Sequence, residues 1–173
     1  GLDEITSPAT VDMFFSAALY GCVASRSRNL QWELGPTDQY ELPQDLHSVL
    51  EVATHAADTS NLPRRLFDNR SPSLRCALFE YDHHEDALTF RNGQGLRDDG
   101  TDWFANHIGS NFLDFPDTDY ADWTKALYRD VAMDNSAIAH QVSIDVTLSD
   151  DGRYRQDYFR VLVPGYDPKS DTK

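Results

Sequence analysis

His140 carries the side chain best placed for chemistry, because it stands inside a run of alternating apolar residues. Ile138, Val142 and Ile144 share its side of that run, so the imidazole is expected to face the core of the protein. A buried imidazole needs a hydrogen-bond partner, a ligand or a metal ion. Two interpretations stay open: a ligand contact, or a core histidine bonded to a backbone carbonyl or an aspartate.

Aromatic residues crowd the middle of the chain, between residues 103 and 128. Such side chains form the walls of pockets for flat or apolar ligands, although an ordinary core uses them equally well. The set predicted to bind a ligand combines this region with the histidine strand. It consists of His140, Val142, Trp103, Phe112, Trp123 and Leu127.

Other polar clusters do not predict a metal site. His83 and His84 are adjacent in an acidic loop, where neighbouring side chains point apart, so a solvated hairpin loop is expected. The acidic stretch 98–102 would need a glutamate at its twelfth position to form a calcium loop, and that position is Gly109. The sequence identifies no cofactor.

The chain also lacks the motifs of common hydrolases. It contains no Gly-x-Ser-x-Gly elbow and no His-Glu-x-x-His helix, so no catalytic residue is selected and a non-enzymatic role is expected. Cys22 and Cys76 stand among apolar neighbours, where reduced thiols behave as small hydrophobes. This pattern favours a reducing compartment, the cytoplasm.

The charge balance excludes some partners. Fifteen Lys and Arg stand against 29 Asp and Glu, which leaves a formal net charge of −14 in 173 residues. Such a surface repels phosphate backbones and anionic lipid headgroups, so neither nucleic acid nor membrane is an expected partner. No stretch approaches the roughly 20 apolar residues of a membrane helix.

The spacing of apolar residues predicts the elements of the first part. Val11, Phe14, Phe15 and Leu19 recur at three- and four-residue steps, which predicts an amphipathic helix. A short strand is expected at residues 30–34, and a second helix begins near Pro43. The polar break at 58–63 then separates a helical N-terminal segment, residues 1–63, from the rest of the chain.

The second part changes to the period of strands. Two hairpins are expected, the first from residues 74–79 and 87–91 and the second from 138–148 and 154–163. A long helix beginning near Pro116 lies between them. Hairpins separated by helices predict an α+β domain with an antiparallel sheet, residues 64–165, followed by a tail, 166–173.

This layout resembles a PAS domain, a small sensory fold with an antiparallel sheet and flanking helices. The resemblance spans residues 74–164 and is similar to the PAS-type family of alphaproteobacteria. It is carried by ALFEY at 77–81, LTFR at 88–91, IGSNFLDF at 108–115, YRDV at 128–131 and YFRVLVP at 158–164. A PAS sheet has five strands, so the resemblance implies a very short last strand or a contribution from residues 30–34.

Three functions follow as hypotheses. The resemblance implies a signalling domain that binds an unidentified small molecule, and PAS-like modules often dimerise through flanking helices, so a homodimer is possible. A small hydrolase or isomerase would use His140 with a carboxylate. An interaction or dimerisation module would use the first helix and need no ligand.

Overall fold

Six β-strands form one antiparallel sheet in the computed structural model, which describes residues 11–20, 32–36, 42–95, 103–149 and 152–166. The strands are β1 (Val11–Tyr20), β2 (Trp32–Pro36), β3 (Arg75–Asp82), β4 (Ala87–Gln94), β5 (Ile138–Ser149) and β6 (Gly152–Tyr166). The helices are α1 (Gln44–His55), α2 (Leu62–Asp68), α3 (Trp103–Asn106) and α4 (Thr118–Asp134), with a 3-10 turn at Phe112–Asp114. The predicted α+β class is confirmed.

The strand order places β1 in the interior of the sheet. The order is β2-β5-β6-β1-β3-β4, so the hairpins β3–β4 and β5–β6 are joined by β1, which pairs with β3 on one side and with β6 on the other. β2 pairs with β5 at the edge. The short strand predicted near residues 30–34 therefore exists, and it lies beside the histidine strand.

Each face of the sheet has its own hydrophobic core. On one face, α3, α4 and the 3-10 turn cover a core that includes Phe79, Phe90 and Val142. On the other face, α1 and α2 cover a second core, with Leu46 and Val161 fully buried. Period-2 alternation along the strands sends neighbouring residues into opposite cores.

The helix predicted from Val11, Phe14, Phe15 and Leu19 is wrong, because Val11–Tyr20 is strand β1. A short, almost continuous apolar run fits a buried strand as well as a buried helix, and periodicity alone does not distinguish them. The decisive interactions are long-range: Ala18 is the register partner of both Arg75 and Arg160. The sequence does not reveal that two distant strands offer these edges.

The description of residues 1–63 as a helical segment is correspondingly wrong for residues 11–20, which are part of the main sheet. The junction after Pro63 falls within α2, and Tyr166, expected in the tail, ends β6. Residues 167–173 lie outside the described residues.

The remaining elements lie close to their expected positions. α1 follows Pro43 and buries Leu46, Val49 and Ala53. α4 begins after Asp117, whose Oδ1 accepts a hydrogen bond from the Tyr120 amide, and it ends at Asn135 in the left-handed conformation. No helix in the described ranges has the length and apolar character to cross a lipid bilayer.

Candidate functional site

A cavity of about 50 Å³ lies between the sheet and α4. Since a water molecule needs roughly 10–15 Å³ in this kind of measure, the cavity has room for a few waters or a group of similar size. Its lining residues come from β3, β6, α3, α4 and the 3-10 turn. They are Arg75, Cys76, Ala77, Phe79, Phe104, Phe112, Tyr120, Thr124, Tyr128, Tyr158 and Arg160.

Two arginines reach this cavity from strands that do not touch each other. Arg75 on β3 and Arg160 on β6 are both register partners of Ala18 on β1. Residues in the same register row project on the same side of a sheet. Strand spacing places their backbones about 10 Å apart, on either side of β1.

α4 contributes hydroxyl groups to the cavity. Tyr120, Thr124 and Tyr128 are four residues apart, which places them on one face of the helix, and all three are buried. Thr124 is only 2% exposed. Its Oγ1 atom has no hydrogen-bond partner among the described residues, so α4 presents an unused polar atom in a cavity wall.

Aromatic rings form the rest of the wall. The Phe79 ring centroid lies 5.0 Å from that of Tyr128 and 5.8 Å from that of Phe112, both in edge arrangements. The Cζ atom of Arg75 lies 5.6 Å from the Phe104 ring centroid. Guanidinium groups that lie over rings are held in position by the ring quadrupole, so Arg75 is oriented as well as charged.

His140 lies directly beside the cavity rather than in its lining. It is the register partner of Arg160, and burial together with the Arg160 charge lowers the pKa of His140 to about 4. The imidazole is therefore neutral at pH 7. Its Nδ1 atom has no hydrogen-bond partner, and hence no carboxylate partner, among the described residues.

The six residues predicted to bind a ligand lie on the sheet face that α4 covers, but only Phe112 lines the cavity. Trp123 packs against Arg160, with the Arg160 Cζ 5.4 Å from its ring centroid. His140 and Trp123 are thus neighbours of Arg160, which lines the cavity, but do not line it themselves. Val142, Trp103 and Leu127 pack within the surrounding core.

Sequence reasoning missed the arginines and the threonine of the cavity. The sequence does contain an indication for Arg160. This arginine interrupts the apolar run 158–163, and alternation places it on the same side of β6 as Tyr158 and Leu162. On α4, the apolar positions Tyr120, Trp123, Leu127 and Val131 predict one face, and Tyr120 and Val131 are buried on it. Thr124, four residues after Tyr120, is buried as well, and the apolar pattern does not select it.

The two adjacent histidines have the expected surface character. His83 and His84 are exposed in the β3–β4 turn, where Asp82 Oδ1 accepts hydrogen bonds from the backbone of His84 and Glu85. No group of three or more His, Cys, Asp or Glu in the described part of the chain could hold a metal ion. Residues 98–102 and Cys22 lie outside the described residues.

Cys76 is a buried free thiol, and burial raises its pKa to about 12. It lines the cavity and also belongs to the core on the side of α1 and α2.

Comparisons of the chain with protein-family models, with curated proteins and with solved structures give no match.

Proposed function

We propose that this protein is a ligand-binding domain of the PAS-like, sensory kind, which holds a small molecule in the cavity between β3, β6 and α4. The observation that carries the proposal is the polar character of a buried cavity wall. Thr124 is 2% exposed and lines the cavity, and its Oγ1 atom has no hydrogen-bond partner among the described residues. A wall built only for core packing would be apolar, because buried polar groups cost free energy unless they are hydrogen-bonded.

The position of α4 supports a signalling role. The helix lines the cavity on its inner face, while Lys125 Nζ donates to Asp86 Oδ2 of the β3–β4 turn at 2.8 Å. Asp117 Oδ2 accepts from the Thr147 amide of β5 at 2.9 Å. A ligand that contacts Thr124 would bias the arrangement of these contacts, and a partner would detect the change at the exposed face of α4.

The order of elements supports the PAS-like part of the proposal. A hairpin, a short helix, a 3-10 turn, a long helix and a second hairpin follow one another, as in the resemblance described above. β1 and the helices α1 and α2 are additions to that plan. We further propose that the domain acts in the cytoplasm. The possible homodimer stays a prediction of the resemblance, and the first helix that could have supplied its contact is strand β1.

Native mass spectrometry of the freshly purified protein tests this function. We expect wild-type protein to carry a non-covalent mass that is lost on denaturation. Ala77→Val fills the cavity and should lower the occupancy, whereas Ala132→Val, which packs against the same core outside the cavity lining, is the matched control and should keep the bound mass. Wild-type protein without an added mass, and without a thermal-stability response to a library of small molecules, would contradict the proposal.

A further inference from the structure

We infer that the cavity between β3, β6 and α4 takes the neutral, hydrogen-bonding end of an apolar ligand, such as the hydroxyl end of an aliphatic alcohol, and that Thr124 binds this end. The inference rests on the proposed function, since it names the class of ligand that the same cavity holds. Three features of the cavity carry it: the unused hydroxyl of Thr124, the rings around that hydroxyl, and the side on which the cavity reaches the surface.

The hydroxyl of Thr124 lacks the bond that hydroxyl groups inside helices often make. Serine and threonine side chains in a helix can donate to the carbonyl oxygen four residues earlier. Thr54 on α1 does so, with its Oγ1 atom 2.6 Å from the Leu50 carbonyl oxygen. Thr124 Oγ1 is buried without a hydrogen-bond partner among the described residues, so it does not use the Tyr120 carbonyl. A ligand in the cavity that Thr124 lines would satisfy this atom.

Aromatic rings surround this hydroxyl. Tyr120 and Tyr128 lie one turn before and one turn after Thr124, on the same face of α4. Phe112 packs against Tyr120 and Phe79 against Tyr128, with ring centroids 5.9 Å and 5.0 Å apart. A charged group would lose its hydration against such rings, whereas a hydroxyl loses little and regains a hydrogen bond from Thr124. The wall therefore favours a neutral ligand with a hydrocarbon body.

The two arginines of the lining have partners within the protein. Arg75 packs on the ring of Phe104 and Arg160 on the ring of Trp123, and both arginines have further interactions. Neither guanidinium group therefore depends on a ligand anion. Their positive charges also disfavour a cationic ligand in the same cavity.

The cavity is closed at Thr124 and reaches the surface on another side. Thr124 and Phe112 are buried, whereas Arg75, Ala77 and Phe104 are half-buried and mark the mouth among the described residues. About 50 Å³ accommodates only a few heavy atoms. A ligand therefore places its hydroxyl and first carbon atoms at Thr124, and a longer hydrocarbon chain extends past Ala77 and Phe104.

The test uses n-propanol as the probe, n-propyl chloride as an analogue of similar shape without a hydroxyl, and sodium propionate as the charged analogue. Binding is measured at equilibrium, from saturable shifts of the Thr124 and Tyr128 amide resonances in NMR spectra, because a ligand this small binds weakly. Ionic strength is held constant with NaCl. We expect n-propanol to bind saturably and propionate to have at most about a tenth of its affinity.

Thr124→Val assigns the effect to the hydroxyl, because it removes the Oγ1 atom and keeps the shape of the side chain. This variant should weaken n-propanol about fivefold, through the loss of a hydrogen bond, and should not weaken n-propyl chloride. The loss should be the same for n-hexanol, whose additional carbon atoms extend toward the mouth. Thr54→Val is the matched control, since Thr54 is exposed on α1 and bonds within its own helix, and it should bind the probes as wild type does. Ala77→Val narrows the cavity and should weaken both n-propanol and n-propyl chloride.

An unchanged affinity for n-propanol in Thr124→Val, an equal loss of n-propyl chloride there, or tighter binding of propionate than of n-propanol would overturn this inference. If no probe binds saturably while native mass spectrometry finds a bound mass that Ala77→Val removes, the proposed function stands and this inference is wrong. If no probe binds, and the bound mass and the response to the small-molecule library are also absent, both proposals fail.

Discussion

At the scale of single residues, the feature that organises the site is the register pair of His140 and Arg160. A neutral imidazole beside a buried guanidinium avoids repulsion between two positive charges, and this is one of the two causes that lower the pKa of His140. The sequence predicts that this histidine faces the core, because the alternation from Ile138 onward is regular. It does not predict that Arg160 lies beside His140, because this contact depends on the register between β5 and β6.

The lowered pKa of His140 makes stability depend on pH. The pKa is about 4 in the folded chain and near 6.5 when the side chain is free, so the unfolded state binds more protons between these values. Stability should therefore fall as the pH drops from 6.5 to 4, by on the order of 2 kcal/mol after allowance for partial exposure of the ring. Urea denaturation at a series of pH values measures this loss.

His140→Phe should remove that part of the pH dependence and leave stability at pH 7 equal or higher, because it also removes a buried Nδ1 atom without a partner among the described residues. The exposed His84 provides the control, and His84→Asn should keep the wild-type profile. A His140→Phe profile that parallels wild type between pH 4 and 6.5 would show that His140 is not the responsible group.

At the scale of elements, local patterns predict those parts whose partners are close in sequence. The β3–β4 hairpin, the β5–β6 hairpin and α4 follow from alternation, turn residues and a helix cap. β1 does not, since its apolar run suits a helix or a strand and its partners lie far along the chain. The sequence places Tyr120, Trp123, Leu127 and Val131 on one face of α4, and Tyr120 and Val131 are buried there. It does not select Thr124, which is also buried and lines the cavity.

Asp117 connects two elements and is expected to contribute to stability twice. Its Oδ1 accepts from the Tyr120 amide at 3.0 Å and caps α4, while its Oδ2 accepts from the Thr147 amide of β5 at 2.9 Å. Asp117→Ala removes both bonds and should cost about 2 kcal/mol. Asp117→Asn retains one acceptor oxygen for the cap and should cost about half as much. Equal losses for the two variants in chemical denaturation would contradict this division.

Gly165 is required where α2 approaches β6. A Cβ atom at this position would lie 2.6 Å from the Thr59 carbonyl oxygen and would also clash with the ring of Pro63. The Asn61 amide donates to the Tyr166 carbonyl at 3.0 Å, so the backbone there has little freedom to move away. Gly165→Ala should cost more than about 2 kcal/mol in thermal or chemical denaturation.

Gly109 offers a contrast to Gly165. It has a φ of +88°, but a Cβ atom there would meet nothing within 4 Å. Gly109→Ala should therefore cost only about 1 kcal/mol, from backbone conformation alone. A larger loss at Gly109 than at Gly165 would show that close packing of α2 on β6 is not the stronger constraint.

At the scale of the whole molecule, the sheet separates two cores and the proposed site belongs to one of them. The sequence predicts one α+β domain and a core on the α4 side. It does not predict the second core, because that core also needs β5 and β6, which are far along the chain from α1 and α2. β1 lies between the two hairpins and joins them into a single sheet, so the site depends on residues 11–20. The sequence did not predict a strand at these residues.

The net charge of −14 predicts that salt stabilises the folded chain. Compact folding brings like charges together, and raising NaCl from 0.05 to 1 M shortens the screening length from more than 10 Å to about 3 Å. The thermal midpoint should therefore rise by several degrees at pH 7. Near pH 4.6, the pI of the sequence, charge repulsion nearly vanishes, and the same addition of NaCl should raise the midpoint much less. An equal rise at both pH values would assign the effect to hydrophobic burial, which salt also strengthens, instead of to charge repulsion.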